Sequence, residues 1–428
     1  MRRKSVTRVV AIGIVGALAL AACAKEGDST GSGGTGSGGA SSNSLIVASD
    51  LPLQGAGATQ WQDTNKLIQL YLDQQGSKAG NYNVTLKIYD DSTAAKGAWD
   101  EAACAKNATD HVANTKEVAV MGTYNSGCAK IELPTLNRDS SGPMLMVSPG
   151  NTNPGLTKKW ETGEPEKFYP TGTRNYARVV TTDDYQGNAG ATFASEELKV
   201  TKCFVLNDNQ TYGLGVAKSF ADSAKKLGIE IVGEQSWDAK QPNYTALFQS
   251  VKASGADCVY LSGIYENNGG QLIKDKVSVL GDNHKVKMMA PDGFTGYPDL
   301  LKLPQAEAMH LTFTGLPADE LMKAGGPPAK LIEAYKQKFG SVPTGNFPLY
   351  GVAATQVILA AIAKSDGTRK GVTAAVLSGD GITIPKSESV TGKEIRIDPA
   401  TGDTTSKDIT IEIVKGGKET YVKAQAVD

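Results

Sequence analysis

The residues of this 428-residue chain best equipped for covalent or metal chemistry are five cysteines and three histidines. His111, His284 and His310 lack the mutual spacing of a metal site, and each reads as a packing or surface residue. The loops that follow the strand-like runs carry no Gly-x-Ser-x-Gly elbow, no His-Glu-x-x-His pair and no Gly-Lys-Ser/Thr phosphate loop. Gln54-Gly55-Ala56-Gly57-Ala58-Thr59-Gln60 lacks the third glycine of a dinucleotide fingerprint and reads as a strand-to-helix turn. Ser126 would be a nucleophile only beside a positioned base, and no histidine stands in such a relation to it. The expectation is therefore no enzyme, no cofactor and no metal. Small polar and aromatic residues fill the loops instead, suited to holding a small ligand unchanged. With 44 basic against 45 acidic residues and no basic run, the chain has no field for a nucleic-acid backbone.

The cysteines divide by position. Arg2, Arg3, Lys4 and Arg8 precede an uncharged apolar stretch at residues 9–22, too short for a comfortable membrane span. It ends in Leu20-Ala21-Ala22-Cys23, which resembles the lipobox of bacterial lipoproteins, where the Cys sulfur takes a diacylglyceryl group. Residues 1–22 then form a signal peptide, and their removal leaves 40 basic against 45 acidic residues, a net charge of −5. Residues 23–44 hold the Gly/Ser tract 30–39, which has no apolar side chains to offset its ordering entropy. That tether reaches roughly 25 Å. The expected location is the extracytoplasmic face of the membrane, held by lipid alone. Four cysteines remain, an even number in an oxidising compartment. Cys203 and Cys258 each open an apolar run read as a buried parallel strand entered at the same end, so Cys203–Cys258 and Cys104–Cys128 are the expected disulfides.

The length predicts two or three cores. Beyond Ser44, short apolar runs at 45–48, 84–88, 118–121 and 144–147 alternate with amphipathic helical stretches. The alternation restarts after Arg178 with runs at 203–206, 229–232, 258–261 and 286–289. Repeated strand-helix-strand units require parallel sheets covered on both faces. The fold class is therefore α/β, two doubly wound Rossmann-like lobes, with ligands expected beyond the carboxyl ends of the strands.

The loops after those strands carry a resemblance. In order they read Leu51-Pro52-Leu53-Gln54-Gly55, Tyr89-Asp90-Asp91, Met121-Gly122-Thr123-Tyr124-Asn125-Ser126-Gly127 and Val147-Ser148-Pro149-Gly150-Asn151-Thr152-Asn153-Pro154. Asp208-Asn209-Gln210-Thr211-Tyr212-Gly213 and Ala290-Pro291-Asp292-Gly293 follow. The series resembles the type I periplasmic binding proteins of branched-chain amino-acid ABC transporters, the leucine/isoleucine/valine-binding family, from about Leu45 to the C-terminus. The resemblance implies that lobe 1 holds a ligand carboxylate with Ser126, Thr152 and backbone N–H groups at a helix start. Asp292 falls where the family places a Glu for the ammonium. Trp61, Tyr212 and Tyr265 would supply aromatic walls. Asn151 stands where close members have a small apolar residue, adding polar atoms that an aliphatic ligand would leave unpaired. Amides, urea-like compounds and aromatic acids thus stay open beside amino acids, as does a ligand-sensing receptor lipoprotein.

The implied mechanism is closure of two lobes on a small solute, for delivery to the permease and ATPase of an ABC importer. Lobe 1 is expected at 45–182 plus 315–398 and lobe 2 at 183–314 plus 399–428. Crossings are expected near 181–186, 312–316 and 398–403.

Overall fold

The computed structural model describes residues 43–427. The expected signal peptide, lipidated Cys23 and nearly all of the tether lie outside them. In chain order the first lobe is built from β1 (Ser44–Leu51), α1 (Ala58–Gln74), β2 (Lys78–Ala79), β3 (Tyr82–Asp90), the short pair β4 (Ser92–Thr93) and β5 (Ala98–Trp99), α2 (Glu101–Ala113), β6 (Glu117–Gly122), α3 (Ser126–Asn137), β7 (Leu145–Ser148) and β8 (Tyr176–Arg178). Its sheet runs β2-β3-β1-β6-β7-β8, parallel except for the β2–β3 pair. The buried runs β6 and β7 have no exposed residue, as strands covered on both faces require. Along β3 the simple alternation fails near its end, where Ile88 is 51% exposed and Tyr89 turns inward.

The second lobe follows with α4 (Asp183–Glu196), β9 (Lys202–Asn207), α5 (Thr211–Lys226), β10 (Glu230–Ser236), α6 (Thr245–Ala253), β11 (Cys258–Ser262), α7 (Gly269–Leu280), β12 (Lys287–Ala290), α8 (Pro298–Leu301) and β13 (His310–Phe313). The chain then returns through α9 (Ala318–Ala324), α10 (Gly326–Phe339), α11 (Phe347–Ala363) and α12 (Arg369–Leu377). Residues of α11 such as Val352, Val357 and Ile358 share a core with Val47 and Val147 of the first sheet. After the small pair β14 (Thr383–Ile384) and β15 (Ile395–Arg396), the hairpin β16 (Ile409–Lys415) and β17 (Lys418–Gln425) completes the second sheet. That sheet runs β10-β9-β11-β12-β13-β16-β17, parallel up to β13 and antiparallel for the last two strands. The antiparallel end departs from the all-parallel expectation. Its signal was present in the alternation Ile409, Ile411, Ile413 and in the Gly416-Gly417 turn, where both glycines take positive φ.

Cys104 and Cys128 are disulfide-bonded, tying α2 to α3 with their Cα atoms 5.6 Å apart. The expected Cys203–Cys258 bridge is absent: both are free, buried thiols. They are direct partners in the β9–β11 register, so their proximity was read correctly. In-register side chains on neighbouring parallel strands run side by side instead of converging, which opposes the crossed geometry of a disulfide. Burial also pushes the Cys203 thiol well above its ordinary value, withholding the thiolate that exchange needs.

Among the described residues, no helix is long and apolar enough to cross a membrane. Thiol counting tests the cysteine assignment. In a chain carrying Cys23→Ser and without reductant, a mass-shifting alkylating agent should label none of the four remaining cysteines in native protein and only Cys203 and Cys258 in urea. Cys104→Ser should lower the urea-unfolding free energy by about 3 kcal/mol, since the bond closes a loop with a sequence separation of 24.

Candidate functional site

The loops that follow β6 and β7 in the first sheet face those that follow β9, β11 and β12 in the second. After β6, Asn125 occupies the N-cap of α3 in an extended conformation, and its side chain caps nothing. The first N–H groups of α3, beginning with Ser126, are left without helical acceptors. After β7, Ser148 Oγ donates to Thr123 O (2.8 Å) and accepts from the amides of Gly150 (3.1 Å) and Asn151 (2.8 Å). This curls the loop back over α3, where Asn153 N donates to Ser126 Oγ (3.3 Å). The buried Arg178 guanidinium grips the same loop by the carbonyls of Asn151 (3.0 Å) and Asn153 (2.9 Å) while pairing with Asp403 (2.7 Å).

From the second lobe, Tyr212 lies in the first turn of α5 and donates its hydroxyl hydrogen to Asp292 Oδ1, accepting in turn from Gly293 N (3.1 Å). Thr314 donates to Asp292 Oδ2 (3.0 Å). Burial raises Asp292 above the usual carboxylate range, and the donors Tyr212, Gln186 and Thr314 oppose that rise. Tyr212 and Tyr124 are also pushed up, first by burial and then by the nearby Asp292 charge. Asp208 organises the surrounding backbone. It accepts from the amides of Gln210 (3.1 Å) and Ile264 (3.1 Å) and from Asn267 Nδ2 (2.8 Å), and burial raises it to about 6.

Ser126, Tyr212 and Asp292 meet around one cavity of about 10 Å³, whose other walls are Tyr124, Asn125, Gly150 and Ile264. Trp61 is fully buried beside it, its ring 4.2 Å from that of Tyr124 and 5.6 Å from that of Phe347. Thr152 is buried behind the β7 loop. Its carbonyl accepts from Asp183 N (2.9 Å), and its hydroxyl lies beside the Asp183 carboxyl. Asp183 is likewise buried; burial lifts it well above its ordinary range, and the Thr152 hydroxyl opposes that rise.

Two expected site residues turn away. Tyr265 packs in the second lobe's core against Tyr297 (4.9 Å) and Phe294 (6.1 Å), and its neighbour Ile264 lines the cavity instead. The cause is Gly263, whose φ of +157° carries the chain past Asp208, where a Cβ would lie 2.5 Å from the carboxylate carbon. The Asn151 side chain is spent on the loop itself, donating to Tyr124 O (2.8 Å) and accepting from Tyr176 OH (3.2 Å). It therefore presents no unpaired polar atom to an aliphatic ligand.

The lobes touch through polar contacts that no sequence motif announced. Trp99 Nε1 donates to Gln210 Oε1 (3.0 Å), and Asn153 Nδ2 donates to Thr211 O (3.2 Å). Glu266, raised to about 7 chiefly by burial and held by the Tyr297 hydroxyl (2.6 Å), reaches the first lobe at Gly57. A Cβ at Gly57 would lie 2.6 Å from Glu266 Oε1 and 3.0 Å from Trp61 Nε1, so glycine there permits the approach.

A family described as "Periplasmic binding protein" matches residues 47–417. An amino acid binding protein of Pseudomonas aeruginosa is 25% identical over 53% of this chain, a match spanning 50% of that protein's length. The Leu/Ile/Val-binding protein BraC3 of Rhizobium johnstonii is 25% identical over 86% of this chain and 90% of its own length. A solute-binding protein of an ABC transporter from Rhodopseudomonas palustris HaA2, solved with p-hydroxybenzoic acid, superposes with a TM-score of 0.72 at 18% identity. That superposition covers 90% of this chain and 98% of the other. With two such sheets and a family match along most of its length, this chain belongs to the periplasmic binding proteins.

Proposed function

We propose that this protein captures a small zwitterionic solute, an aliphatic amino acid foremost, between its lobes and delivers it unchanged to an ABC importer. One observation carries the reading: a single cavity is walled by a helix N-terminus and Ser126 from one lobe and by the Asp292 carboxylate from the other. Free backbone N–H groups suit a ligand carboxylate, and a buried carboxylate suits an ammonium. Ile264 and Tyr124 would flank an apolar side chain. A cavity of about 10 Å³ is far below the few hundred Å³ of ordinary small-molecule sites, so entry requires the walls to part. The proposed hinges are the three passages between the lobes, near residues 181–186, 312–316 and 398–403, dividing 45–182 plus 315–398 from 183–314 plus 399–428. Cys23 is the proposed lipid anchor at the extracytoplasmic face, and residues 23–44 the tether.

A second reading, an aromatic acid, is favoured by the cluster of Trp61, Tyr124 and Phe347 beside the cavity. The R. palustris relative in fold was solved with such a ligand. Asp292 separates the two readings, because an aromatic acid brings no ammonium.

A thermal-shift screen with leucine, isoleucine, valine, an aliphatic amide and p-hydroxybenzoate tests the proposal, since ligand at 100 times its Kd adds about 2.7 kcal/mol. Asp292→Ala should weaken any amino-acid ligand by roughly 3 kcal/mol, about two powers of ten in Kd. A shift that survives unchanged excludes the ammonium assignment. Small-angle scattering should show compaction when ligand is added, and an unchanged radius of gyration with bound ligand would contradict closure.

The ammonium role also needs Asp292 ionised, which its hydroxyl donors favour. Tyr212→Phe should cost roughly 1.5–3 kcal/mol in urea unfolding at pH 7. The loss of a donor raises the already elevated folded-state pKa further, so the variant takes up a proton more readily as pH falls. The gap from the native chain should therefore narrow toward pH 4.

A further inference from the structure

Away from the cleft, the first lobe encloses a second polar constellation that ligand capture does not use. Asp50 at the end of β1, His111 in the last turn of α2 and Glu132 on α3 are all 0% exposed. Each has a ligand atom within 4.8 Å of the other two. His111 Nε2 stands 3.0 Å from Asp50 Oδ2, while its Nδ1 is bonded to Glu117. Glu117, also fully buried, is held in place by the Tyr89 hydroxyl (2.8 Å) and by Asn114 Nδ2 (3.1 Å).

Two further facts separate this from an ordinary buried ion pair. Glu132 Oε2 and both oxygens of the fully buried Asp91 meet no N–H or hydroxyl donor among the described residues, and Glu132 can bond its neighbour Asp50 only by carrying a proton. The charges of Asp50 and Asp91 bear directly on Glu132, so the acids face one another. Against Asp50, Asp91, Glu117 and Glu132 the side chains in contact supply one imidazole; the buried Arg369 guanidinium reaches this cluster only at the carbonyls of Glu117 and His111 and pairs with Asp139. Such an excess of buried acid needs protons or a cation.

We propose that Asp50, His111 and Glu132 form a structural site for a divalent first-row transition-metal ion of the zinc or manganese class. A metal-binding histidine gives its free nitrogen to the ion and donates its other ring N–H to a carboxylate that is itself anchored. His111, Glu117, Tyr89 and Asn114 reproduce that chain. One imidazole with carboxylates is a donor set for zinc or manganese in preference to calcium or copper(I). Ligands bound at about 2.0–2.2 Å lie no more than roughly 4.4 Å apart, so closing on an ion requires movements under about an ångström. Binding displaces to solvent the proton between His111 and Asp50 and the one carried by Glu132, leaving neutral imidazole and ionised carboxylates on the metal. Asp91 offers a further buried carboxylate on the side of the Cys104–Cys128 bridge, with one oxygen within 4.8 Å of both sulfurs.

Because the group is enclosed, the ion should enter as the chain folds. The full chain, disulfide intact, is refolded from urea with Zn²⁺, dialysed against metal-free buffer and analysed by plasma mass spectrometry. The expected result is about one zinc per chain. Retention should fall at least tenfold in Asp50→Asn and Glu132→Gln, which keep the shape of each side chain. Co²⁺ in place of zinc should give visible d–d bands without a thiolate charge-transfer band, and His111→Gln should abolish them. No retained metal in the native chain overturns the site and leaves protons as the answer to the acids. Equal retention in native chain and variants also overturns it, marking surface ions. Absence of retained metal in the native chain overturns the site even where a variant fails to fold.

Discussion

A carboxylate moved out of water raises its own energy unless donors or an opposite charge meet it, and Asp292 imposes that requirement where the two lobes face each other. Much of the cleft answers it. Tyr212 is oriented by the start of α5, Thr314 lies at a passage between lobes, and Gly293 ties the Tyr212 hydroxyl back to the same turn. The three elements arrive from distant parts of the chain, so the second sheet must be complete before the site exists. Asp292 is met by neutral hydroxyls and, among the described residues, by no cation, as the proposed ammonium ligand would require.

The sequence revealed features set by local pattern more readily than those set by a single backbone turn. Apolar runs at strand spacing and amphipathic stretches between them were enough for two doubly wound lobes. Loop residues at strand ends were enough to bring Ser126, Tyr212 and Asp292 to the walls of one cavity. The Tyr265 error arose because a one-residue shift exchanges inward and outward side chains, and Gly263 decides which of Ile264 and Tyr265 faces the cleft. Asn151 was misread because a polar side chain can be absorbed by its own loop. For Cys203 and Cys258, adjacency was legible from the strands, while the relative direction of two side chains was not. Contacts such as Trp99 with Gln210, or Glu266 against Gly57, depend on how two separately folded surfaces meet, and no local window contains that information.

The two lobes differ in what they bury. The second lobe packs apolar and aromatic side chains, including Phe220 stacked on Tyr260 at 3.9 Å, around buried charged groups such as Asp208, Lys276 and Asp292 that lie on separate elements. The first combines a large apolar core under α11 with the acid-rich layer between its sheet and helices α2 and α3, locked at one end by a disulfide. Because α3 also presents Ser126, the rigidity of that layer sets how firmly the first wall of the cleft is held.

Arg178 has a consequence of a different kind. Its guanidinium binds the carbonyls of the loop carrying Thr152 and the carboxylate of Asp403, at the last passage between lobes. The β7 loop and the segment proposed as the last hinge are thereby tied to one side chain. Apparent affinity is the intrinsic affinity scaled by the population of the binding-competent arrangement. Changes at Asp403, remote from any solute, would then retune how tightly the protein appears to bind, giving a lineage a route to adjust capture to local solute concentration without rebuilding the pocket.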